Sequence, residues 1–168
     1  MMSYDATARS GLCHIGIHSP DPAKLAEFYR DVLGMQVVGG SKSDSPFGAS
    51  TFLSSRPDDE SHEIVIFADA RLRHTAFRVT TLEELRSRYR DVVGRGVNIK
   101  MALNHGVSLA FYFDDPEGNM IEIYWATGLE YGQPYGHPID LMQPEDALLR
   151  DLETLAAKHG LEWRARQA

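Results

Sequence analysis

In the segment SPDPAKLAEFYRDVLG the apolar residues Leu25, Phe28, Tyr29 and Val32 recur at i, i+3, i+4 and i+7, the spacing of one face of a helix. Asp21 stands at the N-cap position, Pro22 at the first helical position and Gly34 where the helix should stop. Further along, TLEELRSRYRDVVG repeats the arrangement with Leu82, Leu85, Tyr89 and Val92, a capping box of Thr81 and Glu84, and a closing Gly94. Residues 29–34 read YRDVLG and residues 89–94 read YRDVVG. Each helix follows a short strand-like run, LCHIGIH or RHTAFRV, and precedes others that include FLSS, HEIVIF, SLAFYF and MIEIYW. The pattern predicts the same β-α-β-β-β unit twice, over residues 11–69 and 72–127.

A unit of this kind cannot bury its sheet alone, so the repeat implies that the two copies complete one core. The expected fold class is α+β, with two tandem βαβββ modules forming one curved mixed β-sheet, or half-barrel. Residues 1–168 then make one domain. Residues 128–168 repeat nothing and read as an appendage: a Gly/Pro-rich connection, then a helix of about 15 residues ending near Gly160. With Tyr131, Tyr135 and Leu148, Leu149, Leu152 and Leu155, this extension is expected to cover a pocket or a partner subunit, being too short for its own core.

Strand alternation places His14, Gly16 and His18 on one face of the first strand, and Cys13, Ile15 and Ile17 on the other. Cys13 is therefore expected in the core. His74, Ala76 and Arg78 share a face in the second copy, so His14 and His74 occupy equivalent positions, each followed by a small residue on its own face. In MIEIYW, Glu122 is a carboxylate among strand residues, costly to bury without a partner. Taken singly, each of the three is an ordinary core or surface residue. Placed together by a repeat, two histidines and one carboxylate make the facial triad that leaves coordination positions open on a metal. The half-barrel is thus expected to surround a metal site built of His14, His74 and Glu122.

Composition narrows the partners. The 168-residue chain carries a formal net charge of −7 with a pI near 5.4, which disfavours nucleic acid and membrane surfaces and favours a small molecule. Cys13 is the only cysteine, so neither an internal disulfide nor a thiolate zinc cluster can form, as suits a reducing cytoplasm. The N-terminal MMSYDATARSG lacks the apolar stretch of an export signal.

The repeat with His14, His74 and Glu122 resembles the vicinal oxygen chelate superfamily over roughly residues 11–127. That superfamily includes glyoxalase I, fosfomycin-resistance transferases and type I extradiol ring-cleaving dioxygenases. The run HGVSLAFYFDDPEGNMIEIYW, residues 105–125, is similar to the ending of extradiol dioxygenases that open catechols such as homoprotocatechuate. The departures are a His105-to-Glu122 segment two residues shorter and two modules in place of four. The resemblance implies a metal-dependent extradiol dioxygenase that cleaves a catechol-type aromatic diol with O2, using Fe(II) or Mn(II), in a cytoplasmic homo-oligomer. It implies that His14, His74 and Glu122 are the metal ligands, that His62 is the acid–base group, and that His105 and Tyr112 contact substrate oxygens as donors. Phe47, Phe52 and Leu109, with Tyr131 and Tyr135 if the tail folds over, would supply apolar walls. Two other readings compete. A glyoxalase-like isomerase or thiol transferase would need a further carboxylate ligand, which Glu63 could supply if it faced the metal instead of His62. A metal-free small-molecule binding protein would have no need of the triad.

Overall fold

The computed structural model describes residues 11–58 and 60–163. In chain order these form β1 (Gly11–His18), α1 (Pro22–Leu33), β2 (Gln36–Ser41), β3 (Ser50–Ser54), β4 (Ile64–Phe67), β5 (His74–Val79), α2 (Leu82–Gly94), β6 (Ile99–Asn104), β7 (Ser108–Asp114), β8 (Met120–Ala126), β9 (His137–Pro138) and α3 (Glu145–Lys158). The two β-α-β-β-β units stand in tandem, as the repeat predicts. The strands lie in one sheet in the order β2-β3-β4-β1-β5-β8-β7-β6-β9. Up to β6 this order mirrors itself about the β1–β5 seam, so the modules are related by a pseudo-twofold. β1 with β4 and β5 with β8 pair in parallel; the remaining pairs are antiparallel.

Local chemistry sets the helix ends. The Asp21 carboxylate accepts the Lys24 N–H at 3.1 Å, and Gly34 turns the chain left-handed at φ 68°. Thr81 Oγ1 accepts the Glu84 N–H at 3.0 Å, while the Glu84 carboxylate accepts from the Thr80 N–H, one residue before the expected partner. The closing glycine also differs from expectation. Gly94 remains helical, and the left-handed turn falls at Gly96, φ 76°.

Beneath α2 and α3, one sheet face buries Val79, Leu109, Phe111, Ile123 and Trp125 against Leu82, Leu85, Leu148 and Leu152. The C-terminal extension is therefore no appendage: α3 completes this core, and β9 adds a strand to the sheet beside β6. Under α1 the core is smaller, comprising Ala26, Met35, Leu53 and Ile66 with Leu25 and Tyr29 packed against them. Half of the predicted α1 stripe faces solvent instead, with Phe28 56% and Val32 60% exposed. Among the described residues, no helix is long and apolar enough to cross a membrane. The polar N-terminal segment before Gly11 lies outside the described residues.

Candidate active site

Register assembles the site on the other sheet face. Met101, Tyr112, Glu122, Ala76 and His14 stand side by side across β6, β7, β8, β5 and β1. The pseudo-twofold turns this row into a second one, Gly39, Phe52, Val65, Gly16 and His74. His14 thus maps onto His74, Ala76 onto Gly16, Glu122 onto Val65 and Tyr112 onto Phe52. One row is polar where the other is apolar. Gly16 is needed beside His74, because a Cβ there would come within 2.8 Å of its Nδ1.

Three ligand atoms converge where the rows meet. His14 Nε2 lies 3.1 Å from Glu122 Oε2, His74 Nε2 lies 3.2 Å from the same oxygen, and the two Nε2 atoms are 3.2 Å apart. Donors bound at right angles to an ion about 2.1 Å away would be about 3.0 Å from one another, so the spacing fits one shared cation. Hydrogen bonding supports the same reading. His74 Nδ1 donates to the Leu72 carbonyl at 2.8 Å, which leaves a lone pair on the Nε2 of the neutral ring. That lone pair faces a carboxylate oxygen, acceptor against acceptor, which a cation between them satisfies. His14 and Glu122 are only 5% and 3% exposed. Burial alone would raise the Glu122 carboxyl, but His14 and His74 outweigh it and hold the group well below the usual carboxylate range.

The other predicted residues lie around this cluster. His62 is brought in by a bend at residues 61–63, since β4 begins only at Ile64 and not at the start of HEIVIF. Its ring sits 4.4 Å from that of His14 and stacks on Phe52 at 5.2 Å. Burial, together with neighbouring His14, pushes the His62 imidazole well below its ordinary value. Glu63 turns the other way, its carboxylate accepting from Ser55 and paired with Arg56. The twofold counterpart of Glu122 is Val65, so the first module presents no matching carboxylate. His105 Nε2 lies 2.9 Å from Tyr112 Oη, beyond the triad from His62. Burial raises the Tyr112 phenol well above its ordinary value, and the charge of Glu122 adds to this.

The cavity over these groups is lined by Phe47, Phe52, Phe67, Met101, Leu103 and Tyr135, among others. Three expectations need correction. Leu109 points to the opposite face, buried with Trp125. Tyr131 is not a wall residue but packs on Gly106 and Tyr135. Cys13 lies on the site's side of the sheet, packed with Ala76, Tyr112 and Tyr124, because a bulge between Leu12 and His14 breaks the alternation. Also unforeseen is the buried Glu60, 3.3 Å from Arg78 in the cavity wall, since an acid in the polar run RPDDES signals only surface.

Residues 11–123 match the glyoxalase/bleomycin resistance protein/dioxygenase superfamily. Biphenyl-2,3-diol 1,2-dioxygenase 3 of Rhodococcus globerulus is 30% identical over 129 residues, 70% of this chain and 64% of that protein. Among solved structures, the fold is shared with 2,2',3-trihydroxybiphenyl 1,2-dioxygenase from Sphingomonas wittichii strain RW1, with TM-score 0.62 and 20% identity over 83% of this chain and 54% of that one. It is shared too with the Mn(II)-bound glyoxalase from Novosphingobium aromaticivorans, with TM-score 0.59 and 17% identity over 76% and 43%. The chain spans somewhat less than two thirds of its curated relative and about half of each of these solved chains. With most of its length matched and the paired modules in place, the chain belongs to the glyoxalase/bleomycin resistance protein/dioxygenase superfamily.

Proposed function

We propose that this protein is a metal-dependent extradiol dioxygenase that opens the ring of a small aromatic diol with O2. The observation that carries the reading is the convergence of His14, His74 and Glu122 on one point, with His62 on one side and the His105–Tyr112 pair on the other. His14, His74 and Glu122 would hold Fe(II), or alternatively Mn(II). Bound there, the ion supplies Lewis acidity toward the two diol hydroxyls and a centre at which O2 is activated.

The remaining work belongs to the protein. His62, neutral near pH 7 because its pKa is depressed, is placed to take one hydroxyl proton and later return it. Tyr112, backed by His105, holds the other diol oxygen. Phe47, Phe52 and Phe67 pack against the ring and exclude water, fixing it beside the triad. An aromatic diol bearing a second ring is in keeping with the apolar lining and with the name of one curated relative, biphenyl-2,3-diol 1,2-dioxygenase 3. The reading includes one domain over the whole chain, a cytoplasmic setting in which the lone Cys13 stays reduced, and a homo-oligomer. The exposed apolar side chains of α1 support that last point.

The test is anaerobic loading with Fe(II) or Mn(II), then exposure to O2 with catechol and biphenyl-2,3-diol while the yellow ring-opened product is monitored. Ring opening in the wild type, lost on Glu122→Ala, is expected. A fully loaded protein that opens no diol would overturn the proposal.

A further inference from the structure

We propose that Gln133 is a positioning residue that holds His105 in a single tautomer, with Nε2 bare toward Tyr112, by clamping the C-terminal crossing to the loop that carries His105. After β8 the chain crosses over the β6–β7 loop on its way to β9. The Gln133 amide ties both strands of this crossing together. Its Nε2 donates to the His105 carbonyl at 2.7 Å, and its Oε1 accepts from the Tyr135 N–H at 3.4 Å. The two residues so joined share a second bond, in which the Tyr135 carbonyl lies 2.6 Å from His105 Nδ1.

A carbonyl only accepts, so Nδ1 must carry the hydrogen. In the neutral ring Nε2 is then the acceptor, and Tyr112 Oη, 2.9 Å away, gives it its single hydrogen in preference to the neighbouring Glu122 carboxylate, whose Oε2 faces His14 and His74. The loop beneath is firmly seated. The Asn104 side chain accepts the Gly106 N–H at 2.7 Å, and Thr127 Oγ1 donates to the Gly106 carbonyl at 2.6 Å. Tyr131 also lies over Gly106, where φ is 75° and an added Cβ would come within 2.6 Å of the Tyr131 ring.

The consequence reverses a role expected from the sequence. With its hydrogen committed to His105, Tyr112 presents oxygen lone pairs to the cavity, so it accepts a hydrogen bond from a diol hydroxyl. Carbonyl, imidazole, phenol and substrate hydroxyl then form one directional chain, whose sense is set by a backbone group in the extension. The catalytic consequence rests on the diol-cleaving proposal; the tautomer does not.

The test is nitrogen NMR of the histidine side chains in the full-length, zinc-loaded protein, with the His105 signals identified by their loss in His105→Gln. The wild type is expected to show His105 protonated at Nδ1 and bare at Nε2. Gln133→Ala and Gln133→Glu, neither of which can donate to the His105 carbonyl, should both give a mixture of tautomers. In the Fe(II) or Mn(II) enzyme both should lower kcat about 10-fold with KM and metal content unchanged. A wild-type His105 protonated at Nε2, or tautomer and kcat unaltered in both variants, would overturn the proposal. The expected tautomers in a protein that cleaves no diol would uphold the clamp and remove only the dioxygenase reading.

Discussion

The two copies of YRDV[L/V]G meet different fates. In the second module Tyr89 and Val92 pack against the large core beneath α2, which α3 completes with Leu148 and Leu152. In the first, Tyr29 packs but Val32 is 60% exposed, and no third helix lies over α1 among the described residues. The same division runs through the site. The pseudo-twofold carries Glu122 onto Val65 and Tyr112 onto Phe52, so the second module supplies the polar wall and the first the apolar one. A duplicated pattern dictates a shared backbone; the burial and chemistry of each copy depend on what packs against it.

Substitution at the polar wall should give the largest effects. Glu122→Ala should cut metal affinity by about 100-fold or more and abolish ring cleavage, as measured by metal stoichiometry and turnover. Val65→Ala, at the twofold-related position, should leave metal binding intact. Equal loss of metal in both variants would erase the division between the rows.

His62→Asn should retain metal and diol binding but lose about 100-fold in kcat, the scale of a missing acid–base group. Glu63→Gln should leave both metal content and kcat near wild type. Metal loss on Glu63→Gln would instead revive the four-ligand, isomerase-like site.

The asymmetry of packing is open to denaturant melts. Leu152→Ala removes a fully buried side chain and should cost about 2–5 kcal/mol, and Val92→Ala about 1 kcal/mol. Val32→Ala should fall within about 0.5 kcal/mol of wild type, as befits a surface position. A Val32→Ala cost equal to that of Val92→Ala would show that the α1 face is covered in solution.

The smallest effect expected is electrostatic. Hydrogen bonds from Ser55, and the pairing with Arg56, hold the Glu63 carboxyl below its ordinary value. A group whose pKa is depressed by folding stabilises the protein above its unfolded-state pKa and loses that contribution as the pH falls through the folded value. The stability difference between wild type and Glu63→Gln should therefore be greatest near pH 7 and shrink as the solution is acidified below the usual carboxylate range. A difference that does not vary with pH would remove the ionised carboxylate as its source.

Much of this architecture is legible in the sequence because it depends on periodicity. The helices, their N-caps at Asp21 and Thr81 and the shared offset of His14 and His74 follow from spacing. What escaped has a local physical cause. Alternation misplaces Cys13 because one extra residue bulges β1, and strict alternation back from Val65 would bring Glu63 rather than His62 into the site had the chain not bent at residues 61–63. Exposure of Val32 depends on a helix more than a hundred residues away being over the other copy. The carbonyl that orients His105 leaves no trace in side-chain chemistry, and Gln133 lies in a segment without periodicity.

The seam between β1 and β5 gives the chain a built-in order of events. The proposed ligands His14 and His74 lie 60 residues apart and flank this seam, and Glu122 is 108 residues from His14. Neither half of the chain holds more than a fragment of the set, so a ribosome that has released only the first module has made one of the three proposed ligands, His14. The site comes into being when the halves dock, and binding there pulls docking toward completion: metal at a hundred times its Kd adds about 2.7 kcal/mol to the folded state. On the proposed ligand set, metal supply and the docking of the two modules are thus thermodynamically coupled.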